Sequence, residues 1–264
     1  MQESKPLQKN VPAQKLPIRA EIAKVGDPEL PAWKRMQNNR SFLEAAISGD
    51  NAKLVRLMKE GVDIDEKNGT MATPLYHAAT HGRAETCELL IENGADIAAT
   101  NAMGDGHETV LHTAARNGHP QVCELVLRKW IETGIIKEMV VVKDSFNQTI
   151  LHHAAMRGYG KICSIIIKNG ADVGAKDKNN ETPLHRAADM GHTGTCALLI
   201  GNGADMGTKI EGGDYTGMTA AMLAAHHGKA ETVHFLESME SLQKSLGKET
   251  LTSFVKSFSE CVAA

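Results

Sequence analysis

Aromatic side chains are nearly missing from this chain: Phe, Trp and Tyr together make up 4% of its 264 residues. A large globule usually relies on such rings to fill its centre, so small and aliphatic residues here point to thin, closely packed layers. No apolar run approaches the roughly 18 residues of a membrane-crossing helix, and no membrane span is expected. Residues 1–15 lack the apolar centre of a signal peptide. Neither charge sign is in large excess, the formal net charge being -3, which gives no bulk drive toward nucleic acid. Cysteine is limited to five residues with no paired local pattern. An odd, unpaired set fits a reducing compartment, and a cytoplasmic location is expected. Nucleophile elbow, kinase signature and dinucleotide fingerprint are all missing. No Ser-His-Asp or paired-carboxylate arrangement rises above chance, so catalytic and cofactor-binding residues are not assigned.

What the chain does have is a period. Thr73-Pro74-Leu75-Tyr76-His77-Ala78-Ala79 recurs as Thr109-Val110-Leu111-His112-Thr113-Ala114-Ala115 and Thr149-Ile150-Leu151-His152-His153-Ala154-Ala155. It returns as Thr182-Pro183-Leu184-His185-Arg186-Ala187-Ala188 and, worn, as Thr219-Ala220-Ala221-Met222-Leu223-Ala224-Ala225. Upstream, Leu43-Glu44-Ala45-Ala46 keeps only the alanine pair. The threonines fall 36, 40, 33 and 37 residues apart; 33 is the undisturbed period and the rest reflect insertions. Copies end alike, as in Gly61-Val62-Asp63, Gly94-Ala95-Asp96, Gly170-Ala171-Asp172 and Gly203-Ala204-Asp205. Threonine before the apolar pair predicts a cap on a first helix, and Pro at the first helical position sacrifices no needed hydrogen bond. The alanine pair lets a neighbouring helix approach closely. Glycines 82, 118, 158, 191 and 228 mark where that helix should stop. One unit alone buries too little, so stability must come from stacking.

These motifs resemble the ankyrin repeat family over roughly residues 38–240, as about six copies in units starting near 38, 71, 107, 147, 180 and 217. The resemblance implies an all-α solenoid of stacked helix–turn–helix units with capping segments at both ends. Residues 1–37 are expected to form a mostly disordered leader and N-terminal cap, because Pro6, Pro12 and Pro17 block helix formation. Trp33 is the candidate cover for the first repeat. Residues 241–264 should form capping helices divided at Gly247, with an apolar side that seals the last repeat; a sorting signal is the alternative. The third unit carries seven extra residues within Trp130–Val142. An extended helix or extra turn followed by an extended run at Val140-Val141-Val142 is expected there, as recognition loop or packed spacer alike. The linker Ile210–Tyr215 reads as a mobile finger.

Twelve histidines invite a metal reading. His112, His152 and His185 hold the fourth motif place, where the family resemblance implies hydrogen bonds to backbone between neighbouring turns. His77 and His81 lie four apart without a third ligand, so no metal site is assigned. Cys87, Cys123, Cys163 and Cys196 share one position of the second helix, which Val233 fills in the last copy. They read as small buried apolar side chains, while Cys261 escapes the pattern and is expected to be exposed. Gly104-Asp105-Gly106 and Gly212-Gly213-Asp214 read as turns, not phosphate cradles. The resemblance also implies an Asn that can be hydroxylated near each repeat end; Asp65, Ala98, Gly174 and Gly207 stand there instead.

The fifth, eighth and ninth motif places should line the concave side of such a stack. Candidate partner-binding residues are therefore His77, His81, Arg116, Asn117, His153, Met156, Arg157, Arg186, Asp189, Met190, His226 and His227. This strip reads as basic, against an outer side bearing Glu85, Glu88, Glu92 and Glu124. The expected role is a monomeric, non-enzymatic interaction module (adaptor, inhibitor or scaffold) that takes an acidic segment of another protein. The alternatives are an effector secreted into a host cytoplasm and, less favoured, an enzyme with a site embedded in the solenoid.

Overall fold

The computed structural model describes residues 31–101 and 108–262, with side chains to residue 257. Residues 1–30 of the expected leader, the Gly104-Asp105-Gly106 turn and the side chain of Cys261 lie outside these residues, whereas residues 32–37 are helical. Helices come in pairs, one pair per repeat. These are α1 (Ala32–Ser48) and α2 (Asn51–Lys59), α3 (Pro74–Thr80) and α4 (Ala84–Glu92), and α5 (Val110–Asn117) and α6 (Pro120–Thr133). A single-turn helix, α7 (Ile136–Met139), follows the third pair. Then come α8 (Ile150–Met156) and α9 (Gly160–Lys168), α10 (Pro183–Met190) and α11 (Thr193–Gly201), and α12 (Ala220–His226) and α13 (Ala230–Leu246). Helix α14 (Lys248–Val262) closes the chain. One finger between repeats contains a two-residue antiparallel ladder, β1 (Thr100–Asn101) with β2 (Glu108–Thr109), in which Thr100 faces Thr109.

The motif explains where helices start and stop. Thr73, Thr109 and Thr219 accept the backbone N–H three residues on, capping α3, α5 and α12. Glycines 82, 118, 158, 191 and 228 all adopt φ between +66° and +86°, the left-handed turn that ends a helix cheaply only with glycine. Ala78 and Ala79, with their counterparts in the next three copies, are fully buried. Their small volume lets each first helix sit directly on the next, in the unbroken series α1–α3–α5–α8–α10–α12. The second helices pack on one another less closely, so the wall curves toward the first-helix row and leaves that face concave. The all-α repeat solenoid expected from the motif is what forms.

Two side-chain devices tie layer to layer. His119 and His192 lie over Gly82 and Gly158, where an added Cβ would come within 2.4 and 2.7 Å of the ring. Their Nε2 atoms reach the carbonyls of Thr80 at 3.0 Å and Met156 at 3.1 Å. The motif histidines form the second device. The Thr149 backbone N–H donates to His152 Nδ1 at 3.1 Å, and the Thr182 N–H donates to His185 Nδ1 at 3.2 Å. A backbone amide can only donate, so Nδ1 accepts and Nε2 carries the proton of the neutral ring. In His152 that Nε2 meets the Glu181 carbonyl of the next repeat at 3.1 Å. Burial pushes the pKa of His112 down to about 3 and that of His152 down to about 4.

Four expectations about ends and insertions are corrected. Trp33 is 66% exposed and covers nothing on the first repeat. Val140 and Val141 form a turn rather than an extended run, and the insertion packs inward. Trp130 is fully buried with its indole N–H on the Ile97 carbonyl at 3.0 Å, and Ile136, Met139 and Val140 are buried beside it. The tail divides at Gly247 into α13 and α14 as expected. Yet α14 folds back along the flank of α11, burying Leu251 and Val255, instead of covering α12. Met222 is therefore 54% exposed and Ala225 lies open, although the corresponding alanines of earlier copies are sealed by the next layer. The linker expected to be a mobile finger is pinned: Ile210 is buried, and the Glu211 N–H donates to the Asn179 carbonyl at 3.0 Å.

Candidate functional site

The concave face is built on the finger bases as much as on the helices. Asp144 sits five residues before Thr149, and its Oδ1 accepts the backbone N–H of Phe146 and Gln148 at 2.8 and 2.9 Å. Asp177, five before Thr182, holds Asn179 and Glu181 in the same way at 2.9 and 3.0 Å. Asn68, five before Thr73, holds Thr70 and Ala72 at 2.9 and 3.1 Å. Each side chain also engages the fifth motif place nine residues on. Asn68 Nδ2 meets His77 Nε2 at 2.8 Å, Asp144 Oδ2 meets His153 Nε2 at 2.9 Å, and Asp177 Oδ2 accepts from Arg186 at 2.8 Å. Burial raises the Asp144 carboxyl, but its bonds from His153, Gln148 and Phe146 outweigh this and hold its pKa at about 2.

This geometry overturns the free basic strip. Arg116 pairs with Glu108 at 2.8 Å, and Arg186 with Asp177 at 2.8 Å and Glu181 at 3.1 Å. His153 is 2% exposed, enclosed by Asp144 and edge-on to His112, so it offers no contact surface. Asp189 pairs with His227 at 2.6 Å. His227 in turn stacks edge-to-face with His226 and Tyr215. The signal that would have shown the pairing is in the sequence, as acids one and five residues before the motif threonine. Glu108, Asp144, Asp177 and Glu181 all lie outside the helices, on the fingers.

The remaining positions stay open. His81 is exposed, its Nδ1 on the His77 carbonyl at 2.9 Å, and Asn117 donates to the Thr113 carbonyl at 2.9 Å. Arg157 is exposed and donates from Nε to the Arg116 carbonyl at 2.9 Å and also from Nη2. That bond consumes no opposite charge, so among the described residues Arg157 is the arginine of the strip without a carboxylate partner. Met156 is half-buried and Met190 is 45% exposed. At the finger of the fourth repeat Phe146 stands 59% exposed, and its carbonyl accepts the Lys178 N–H at 3.0 Å. What these residues offer is soft apolar surface with a single cation. No group of His, Cys, Asp and Glu among the described residues has metal-ligand geometry, and no described helix is long and apolar enough to cross a membrane.

A family model described as "Ankyrin repeats (3 copies)" matches residues 42–137 and 130–210. A second, "Ankyrin repeats (many copies)", matches residues 184–237. Among curated relatives, the transient receptor potential cation channel subfamily A member 1 homolog of Caenorhabditis elegans is 35% identical over 109 residues, 41% of this chain and 8% of that protein. Its Homo sapiens counterpart is 37% identical over 86 residues, 32% of this chain and 8% of the other. Dauer abnormal formation protein 25 of Caenorhabditis elegans is 31% identical over 111 residues, 41% of this chain and 28% of that protein. The chain thus spans only a small part of these relatives. Among solved structures, a chain of the complex of the Bd0816 predatory endopeptidase of Bdellovibrio bacteriovorus with immunity protein Bd3460 superposes with a TM-score of 0.62 at 26% identity, covering 75% of this chain and 97% of that one.

Proposed function

The chain belongs to the ankyrin repeat family, and from that premise we propose that it is a non-enzymatic module gripping a partner polypeptide along the first-helix face and finger tips. Ankyrin repeats bind other proteins, and the finer reading concerns how this copy does so. One observation carries it: Phe146 and Met190 stand 59% and 45% exposed on this face, while the alanine pairs between the inner layers are fully buried. Methionine adapts its shape to irregular apolar contacts, and the exposed Phe146 on the finger gives a second, rigid anchor. Arg157 supplies one charge for an acidic residue of the partner; the other arginines serve the fingers. The partner is therefore an apolar segment with an acidic anchor point rather than a run of acids. The solved complex with an immunity protein supports a module that acts in an assembly of two proteins. Four buried, unpaired thiols support a reducing compartment.

The test is affinity capture from the native cell lysate, read by mass spectrometry, with the wild-type chain and the variant Phe146→Ser/Met190→Ser/Arg157→Glu. Phe146 and Met190 lie at the surface, but Arg157→Glu also removes the bonds to the Arg116 carbonyl, so the variant should stay folded with a loss of about 1–2 kcal/mol in a denaturant melt. A partner held by the wild type and lost by the variant is the expected result. Undiminished capture by the variant would end this reading.

A further inference from the structure

The opposite face of the wall carries a feature that the concave reading does not use. Two grooves of about 650 and 640 Å³ run side by side across the outer surfaces of α2, α4, α6 and α9, sharing Glu85 and Glu88. Their floor is apolar, with Val55, Leu89, Leu125, Ile131 and Ile165. Ile131 is 50% exposed because the lengthened α6 carries it past the end of its neighbours. Around this floor stand five carboxylates, Glu85, Glu88, Glu92, Glu124 and Glu132, against the cations Arg128 and Lys161, with Lys129 pairing Glu132 at 2.9 Å. Both cations are spent in rungs between layers, Arg128 to Glu88 at 3.1 Å and Lys161 to Glu124 at 2.9 Å. The trench is therefore acidic at its rim, with Glu85 and Glu92 making no ion pair to a described residue.

The same row of second helices shows what fits such a surface. At its far end the trench position is filled by the chain's own α14, lying along α11 and touching α13. Leu251 and Val255, four residues apart and so on one face, are buried against it. Gly201 admits the backbone so closely that a Cβ there would lie 3.1 Å from the Lys256 nitrogen. The first four second helices have the apolar floor but, among the described residues, no helix over it.

We propose that this outer trench is a second docking surface, which seats an amphipathic helix of a partner protein with Leu or Val at helical spacing on the floor and Lys or Arg against the glutamate rim. It goes beyond the concave reading and does not depend on it. The seated α14 defines the geometry, and the uncompensated carboxylates define the sign of the partner. A chain with one partner on each face is a bridge between two proteins.

The test uses the full chain and a short fluorescein-labelled peptide of Leu and Lys in amphipathic helical order, followed by fluorescence anisotropy at about 0.15 M salt. The same peptide with Glu for Lys is the control. Binding of the Lys peptide alone is expected, weakened about tenfold or more by Glu85→Lys/Glu92→Lys. Ile131→Asp separates docking from mere charge attraction, since it removes floor while adding an acid. It should also weaken binding about tenfold. Unchanged or tighter binding by Ile131→Asp, equal binding of the Glu peptide, or indifference to the Glu85/Glu92 change would each overturn the proposal. Retained binding by the Phe146/Met190/Arg157 variant is expected and keeps the two faces distinct; its loss would merge them and sink the claim of a second surface.

Discussion

At the scale of single residues, the fingers show where the chain is strained. The place two before the motif threonine is left-handed in four copies, with Met71 at φ 60°, Asn147 at 60°, Asn180 at 63° and Gly217 at 86°. Asparagine tolerates that region through local hydrogen bonds and glycine is free in it, whereas in methionine the Cβ crowds the carbonyl oxygen at a cost of about 1–2 kcal/mol. Met71→Gly removes the clash and gives back part of the gain through a more flexible unfolded chain. A net stabilisation of about 0.5–1 kcal/mol is expected, raising the melting temperature by roughly 1–3 °C. Asn180→Gly should not match it, because Asn180 Nδ2 donates to the Lys209 carbonyl at 2.8 Å. A melting temperature lowered by Met71→Gly would contradict this account of the finger.

The buried histidines predict a pH response from the same local chemistry. Unfolded, His112 and His152 titrate near 6.5; folded, burial holds them to about 3 and about 4. Between those values the unfolded chain binds more protons, so stability falls as pH drops from 6.5 toward 3. For His152 alone the full effect is on the order of 3 kcal/mol. Asp144, held at about 2 against its usual 3.8, acts in the same direction at lower pH, its contribution vanishing as pH falls through 2. Thermal melts should therefore be flat above about pH 7 and drop steadily from pH 6.5 to 4. Equal or greater stability at pH 5 than at pH 7 would show that these rings are not neutral and buried.

At the scale of elements, the boundaries were legible in the sequence because they rest on local chemistry. Threonine caps, Pro at the first turn and a left-handed glycine each act within a few residues. Of the links between layers, the His152 bond was implied by the family resemblance, whereas those of His119, Arg157 and His192 were not legible, since they depend on which residues meet across a gap of 36 to 41 positions. His119 and His192 show this. Each stands right after the stop glycine of its own repeat yet presses on the stop glycine of the preceding one. Gly158→Ala should thus suffer twice, from φ +70° and from a methyl 2.7 Å from the His192 ring. A loss of about 2–4 kcal/mol is expected from denaturant melts. Adding His192→Ala should recover a part, measured as a coupling of about 1 kcal/mol or more in a double-mutant cycle. Simple additivity would mean that the ring does not bear on the glycine. The candidate site failed in the sequence for a related reason. Exposure of Met190 follows from helix spacing, but neutralisation of Arg116 and Arg186 required knowing that the fingers fold back over the first helices.

At the scale of the whole molecule, stability is a sum over neighbours and must differ along the stack. Helices α5, α8 and α10 have a layer on each side. Among the described residues, helix α12 has one on a single side, because α14 took the flank of α11. The consequence is visible along one repeat position: Cys87, Cys123, Cys163 and Cys196 are fully buried, while the equivalent Val233 is only half-buried. Local opening requires breaking fewer contacts at such an end. Native-state hydrogen exchange should therefore show the greatest protection in α5, α8 and α10, with α12 and the start of α13 exchanging faster by about tenfold or more. Gly201→Leu, which pushes α14 off α11, should extend fast exchange into α14 and α11 without reaching α5. Uniform protection from α5 to α12 would mean that the layers open together, and the picture of units that lean only on their neighbours would have to be replaced by a single cooperative core.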